Sequence, residues 1–191
     1  MQFEKLIGQA RSYRRFNQKP LPAGFLKQMV HYARLSPSSG NMQFLKFLTI
    51  ETEEARDALF PKLKWAGALK EWDGPAEGER PTGYVVILLD KTISTNPNCD
   101  HGITGQSMVL GAAAAGVGCC MIGSFGKKSV SELLHLEEHL SPCLILAFGY
   151  PGEKVVVEDV AEGGETSYYR DEDGVHHVPK RSVDELTVAE K

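Results

Sequence analysis

The chain has few cysteines, no apolar leader, no run of five or six like charges and no Gly-x-Ser-x-Gly turn. Each shortage removes a class of function. Four cysteines (Cys99, Cys119, Cys120 and Cys143) among 191 residues are too sparse for a disulfide scaffold. No two of them stand in the C-x-x-C spacing that holds zinc. Reduced, mostly buried thiols are therefore expected. The stretch from Met1 to Arg11 is charged and amphipathic, without the apolar segment of a signal peptide, so the reading is a cytoplasmic protein. With 21 lysines and arginines against 25 aspartates and glutamates, the net charge is −4. That balance argues against an obligate partner made of nucleic acid or membrane surface.

One segment is long enough to invite a membrane reading, because no charged residue occurs from Gly102 to Gly126. Its glycines, its four consecutive alanines and the polar Thr104, Gln106 and Ser107 leave few large apolar groups to drive insertion. The composition fits a small-residue helix packed closely against other protein.

Several catalytic signatures also fail on their details. Gly123 to Ser129 resembles a phosphate loop, but Met121 stands where the first glycine belongs and Lys128 where Ser or Thr belongs. Gly116-Val-Gly118 lacks the third small residue of a dinucleotide fingerprint. His176 and His177 are adjacent, so on a strand they face opposite sides and chelate a single ion poorly. Cys99 and His101 have no second pair to complete a tetrahedron. The absent Gly-x-Ser-x-Gly turn removes the usual serine-hydrolase elbow.

What the sequence does contain is an uneven charge distribution. Residues 1 to 46 carry eight cations against the single anion Glu4, so this segment wants an anion. Hydrophobic patterning and turn residues predict helices from about Gln2 to Ala10, from near Pro22, from Thr52 to Leu63, from Asp100 to Ala115 and from Ser129 to Leu136. For the last of these, Ser129 and Glu132 have the form of a capping box. Leu45 to Ile50, Tyr84 to Leu89, Cys119 to Ile122 and Leu144 to Tyr150 read as strands. Lys70 to Gly83 reads as a surface excursion, and the hydrophilic stretch from about Val155 onward as an arm that something else must hold.

Two clusters carry chemistry. Arg11-Ser12-Tyr13-Arg14-Arg15-Phe16 offers guanidinium forks and a hydroxyl, the donors a phosphate requires. In extended backbone Arg11, Tyr13 and Arg15 share one face, and Ser12 and Arg14 the other. Ser36-Pro37-Ser38-Ser39-Gly40-Asn41-Met42-Gln43 gathers hydroxyls and two amides around a turn, and amides there can pair with the edge of a heterocycle.

Together these residues resemble the FMN-dependent nitroreductase-like flavoproteins. The first cluster is similar to that family's R-S-x-R-x-F motif and the second to its A-P-S-S-x-N-x-Q motif, in the same order and spacing. Gly116 to Gly123 resembles the L-G-x-G-x-x-x-I-G stretch, Leu146 to Pro151 the G-Y-P strand end, and Lys180-Arg181 the terminal basic pair. The chain departs from the pattern at Ala10, where a second arginine often precedes the R-S pair, and at Phe44-Leu45, where many members continue P-W. It is also short, with the Lys70 to Gly83 excursion in place of longer helical insertions.

The resemblance implies an α+β fold with a central mixed β-sheet flanked by helices. It implies one domain over residues 1–191, whose arm from about 155 extends across the partner subunit of a homodimer. It implies an FMN site in which Arg11, Ser12, Lys180 and Arg181 take the phosphate and Arg14 faces the flavin's N1 and C2 carbonyl. Pro37, Ser38, Ser39 and Asn41 would line the ring's pyrimidine side and ribityl chain from the second subunit, Gln43 would also bind the cofactor, and the backbone of Ile122, Gly123 and Ser124 would approach N5, where glycine permits close contact. NAD(P)H would reduce the flavin, and a nitroaromatic, quinone or similar electrophile would reoxidise it in ping-pong order. No side-chain acid or base is then required, and Cys119-Cys120 reads as core. A flavin-binding or sensing module without nicotinamide-driven turnover, and a specialised flavin reaction on the same scaffold, are the alternatives.

Overall fold

Strand β3, Gly83–Asp90, is buried at every position, which requires cover on both of its faces. The computed structural model, which describes residues 2–189, supplies that cover with helices on either side of the sheet. Val85 and Ile87 point to one core, shared with Leu26 and Met29 of α2 (Phe25–Arg34) and with Met108 and Ala112 of α4 (Asp100–Ala114). Tyr84, Val86 and Leu88 point to a second core, shared with Leu59 of α3 (Glu53–Leu59) and Val130 of α5 (Lys127–Leu133). A period of two in the side chains thus divides one apolar strand between two layers.

Strand β5, Leu140–Pro151, organises the sheet. One edge pairs with β3, which in turn pairs with β2, Leu45–Ile50. The other edge pairs with β4, Gly118–Ile122, and with the two-residue β1, Phe16–Asn17. These ladders are antiparallel, and a parallel bridge between Ser12 and Cys119 makes the sheet mixed. Tyr13 N donates to Cys119 O at 3.0 Å, so the chain leaving α1 (Phe3–Gln9) lies against the free side of β4.

The small-residue reading of α4 holds for a geometric reason. A Cβ on Gly111 would sit 2.3 Å from Cδ2 of Tyr32, so glycine is what lets α2 and α4 approach. Two local expectations are corrected. Helix α5 begins at Lys127, and Ser129 Oγ donates to Gly126 O at 2.9 Å instead of capping the helix as an acceptor. Helix α3 stops at Leu59, because Pro61 tightens Phe60–Lys62 into a 3-10 turn.

The arm is also not simply extended. Val155–Asp159 (β6), Tyr169–Arg170 (β7) and His176–Lys180 (β8) form a separate three-stranded sheet in the order β6-β8-β7, followed by α6, Val183–Leu186. Polar contacts with its own chain replace the apolar core that this segment lacks. Glu153, whose side chain is 1% exposed, binds Arg170 Nη2 at 2.8 Å. Tyr168 Oη accepts from Ala68 N at 3.3 Å, tying the arm to the loop just before the Lys70 to Gly83 excursion. The arm's last two residues lie outside the described residues.

Candidate functional site

The end of α1, the middle of α4, β4 and β8 enclose a cavity of about 330 Å³. Arg11, Ser12, Arg14, Gln106, Tyr168, His176 and Lys180 supply its polar wall, with Val109, Cys119, Met121 and Val178 among the apolar residues. Three cations line it and no carboxylate does. Among the described residues, Arg11, Arg14 and Lys180 form no ion pair. Arg11 is partly held, since its Nη2 donates to Ile7 O at 3.0 Å while its buried Nε has no partner. Cations gathered without acids, one with an orphaned donor, fit an anionic ligand, and the phosphate of FMN is such a group.

The expected division of faces in the basic cluster is changed at its first residue. Arg11 N donates to Gln9 O at 2.9 Å, so Arg11 still belongs to the turn that ends α1, and the extended run begins at Ser12. Arg11 therefore joins Ser12 and Arg14 at the cavity. Tyr13 lies over Gly118, and Arg15 turns to Glu79, with Nε 3.2 Å from its carboxylate.

Arg14 is held from several directions. Its Nη1 lies 3.0 Å from His176 Nε2 and 3.4 Å from Ser12 O, and its guanidinium sits 4.6 Å from the centre of the Tyr168 ring. An arginine only donates, so Nε2 accepts and the ring proton of neutral His176 sits on Nδ1. Burial pushes the His176 pKa down to about 4, and the Arg14 charge adds to the effect. Glu153 Oε1 accepts from the backbone amides of both Arg14 and Arg15, while Oε2 takes Arg170.

The second cluster is built on the N-terminal end of α4. Asp100, buried in the core, accepts from Ser38 Oγ at 2.7 Å, Ser39 N at 2.9 Å and Ser39 Oγ at 2.7 Å. Burial alone raises its pKa, but these hydrogen bonds outweigh it and hold the carboxyl below the usual range. Ser38 Oγ also accepts from Gln43 N at 3.0 Å, and Gln43 Nε2 donates to Asn41 O at 3.3 Å. Gly40, Asn41 and Gln43 all have φ between 53° and 55°, so the loop is strained into shape and pinned there. A cavity of about 270 Å³ opens beside Pro37, Ser38, Gln43 and Asp100.

The sequence-predicted site residues thus fall into separate groups. Arg11, Ser12, Arg14 and Lys180 share the cationic cavity. Pro37, Ser38 and Gln43 line the other one, with Ser39 and Asn41 in the same loop. Ile122, Gly123 and Ser124 line neither. Ile122 packs into the core with Val86 and Val130, and Ser124 O accepts from Lys64 N at 2.9 Å. Arg181 is drawn away from Lys180 because its guanidinium pairs with Glu185, one turn on.

Sequence reasoning missed Gln106, Tyr168, His176, Glu153 and Asp100. One signal was available for His176. His176, Val178 and Lys180 alternate along β8 and all three line the cationic cavity, while His177 turns outward between Glu158 and Asp171.

Comparison with known proteins places this geometry in context. The family model described as Nitroreductase family matches residues 7–150. An oxygen-insensitive NADPH nitroreductase of Salmonella typhimurium is 27% identical over 154 residues, covering 75% of this chain and 63% of that protein. The structure of an FMN-dependent nitroreductase from Clostridium difficile superposes with a TM-score of 0.62 at 21% identity, covering 78% of this chain and 88% of that one. An NADPH:FMN oxidoreductase from Vibrio harveyi, solved with NAD+, also gives a TM-score of 0.62, at 22% identity, covering 78% of this chain and 69% of that one.

Proposed function

The chain belongs to the Nitroreductase family, and from that premise we propose that it is an FMN-dependent oxidoreductase. NAD(P)H is the electron donor, and the acceptor is a small electrophile of the nitroaromatic or quinone class, served in ping-pong order. The observation that carries this reading is the cavity walled by Arg11, Arg14 and Lys180 with no acid among its lining residues. Bound FMN supplies the hydride chemistry, and the protein supplies orientation and charge.

Arg11, Ser12 and Lys180 hold the phosphate. Arg14 would serve as a fixed cation beside the flavin, and such a charge would raise the flavin's tendency to accept hydride. The Pro37 to Gln43 loop opens on a different cavity of the same protomer, which supports a homodimer in which a second copy brings that loop to the flavin. The backbone around Gly123, just after β4, would meet the flavin only from outside either cavity of this protomer. Activity in the cytoplasm is part of the same reading.

The test is the visible spectrum of the purified protein before and after anaerobic NADH and NADPH, with any chromophore released by denaturation. A flavin band identified as FMN and bleached by a nicotinamide is the expected result. A colourless protein that also fails to bind added FMN overturns the reading, and a yellow protein that neither nicotinamide bleaches moves it to a flavin-binding module.

A further inference from the structure

We propose that His176 is a positioning residue for the cofactor: by accepting from Arg14 Nη1 it fixes the guanidinium so that the remaining donors serve the ligand in the cationic cavity. The proposal rests on the flavin reading above. Nothing in the arm's composition marks this histidine, but its place does. It is fully buried, its Nε2 lies 3.0 Å from Arg14 Nη1, and both residues line the same cavity. Tyr168 completes the arrangement, with its ring 5.2 Å from that of His176 and 4.6 Å from the Arg14 guanidinium.

The choice of side chain follows from charge. A guanidinium on a flexible stem needs an acceptor to hold one orientation, and a buried arginine is most often held by a carboxylate. A carboxylate on Arg14 would cancel its charge and repel an anionic ligand. A neutral imidazole accepts the same hydrogen bond and leaves the positive charge in place. Glu153, beside this site, has no oxygen free for the Arg14 guanidinium: both are taken by the amides of Arg14 and Arg15 and by Arg170. Burial and the flanking Arg14, Arg170 and His177 keep His176 uncharged at neutral pH, against the opposing pull of Glu153. The arm therefore reaches the cofactor site by setting Arg14 as well as by presenting Lys180.

The experiment compares full-length wild type, His176→Gln and His176→Phe. FMN affinity is read from quenching of flavin fluorescence, and the reduction potential of the bound flavin is measured in each protein. Glutamine keeps a neutral acceptor, so its affinity should stay within about threefold of wild type. Phenylalanine keeps the ring against Tyr168 but not the acceptor, and should weaken binding about tenfold, the scale of one charge-assisted hydrogen bond, with a more negative potential. Equal behaviour of the two variants overturns the proposal, because His176 is then only core filling. Wild-type protein that leaves FMN fluorescence unquenched overturns the flavin reading itself.

Should His176→Phe fail to fold, the nitrogen resonances of the labelled wild-type imidazole decide. A bare Nε2 and a protonated Nδ1 between about pH 6 and 8 are expected. A proton on Nε2 overturns the pairing with Arg14.

Discussion

Ser38 and Asp100 meet at 2.7 Å, joining a strained loop to the start of the helix that runs beneath both cavities. Asp100 accepts three donors of that loop, and removing it leaves all three without a partner in a partly buried place. Asp100→Ala should cost about 2–3 kcal/mol in urea unfolding, on the scale of several lost hydrogen bonds. Asp100→Asn, which keeps one accepting oxygen, should cost less. Because the folded carboxyl is held below its ordinary pKa, its contribution is present above the unfolded value and is lost as pH falls through the folded one.

Glu153 joins the basic cluster to the arm. Glu153→Ala strands Arg170 and two backbone amides, and breaking a buried pair by removing one partner costs about 3–5 kcal/mol. Glu153→Gln retains an oxygen for the amides of Arg14 and Arg15 and should be milder. Limited proteolysis of Glu153→Ala should cleave first within the arm, at Val155 to Lys180, and protection of that segment equal to wild type would count against its role as the anchor.

The two adjacent histidines should give stability opposite slopes with pH. His176 has its pKa lowered from 6.5 to about 4, so the unfolded chain binds a proton that the folded one refuses, and stability falls as pH drops from about 6.5 towards 4. His177 is raised, first by its hydrogen bond to Asp171 and then by Glu158, and its ring stacks on Tyr169 at 4.7 Å. Its contribution is complete below 6.5 and is lost as pH rises through the folded pKa. Thermal melts across pH should show both limbs, and His177→Gln should flatten the alkaline limb while leaving the acid one.

The parts of the fold that were legible in sequence are those where local pattern and burial agree. Leu45 to Ile50 is a strand with those limits, and α4 begins at Asp100 as its composition predicts. That Arg11, Ser12 and Arg14 lie together was legible from their adjacency in sequence, whereas Lys180 was joined to them only by the family resemblance, and the structure places all four on one cavity. The different surroundings of Lys180 and Arg181 were not legible, since only the structure shows Arg181 paired with Glu185 one turn later. Asp100 and Glu153 were invisible for a similar reason: each acts on residues more than 60 positions away, and a single carboxylate carries no local pattern. The arm's own small sheet was not legible because its strands are short, two to five residues each, and carry no alternation of apolar and polar residues long enough to mark them.

Helix α4 offers a paired test of why its glycines are there. At Gly111 an added Cβ meets the Tyr32 ring at 2.3 Å, and the tyrosine is itself packed between α2 and α4. At Gly102, in the first turn of the same helix, an added Cβ meets nothing within 4 Å. Gly111→Ala should therefore destabilise by about 1–3 kcal/mol, as overpacking does. Gly102→Ala should stabilise by about 0.5–1 kcal/mol, because alanine loses less backbone freedom in a helix. Equilibrium unfolding of the two variants side by side separates a glycine required by close helix packing from one that is merely tolerated, and equal effects would remove the packing argument for α4.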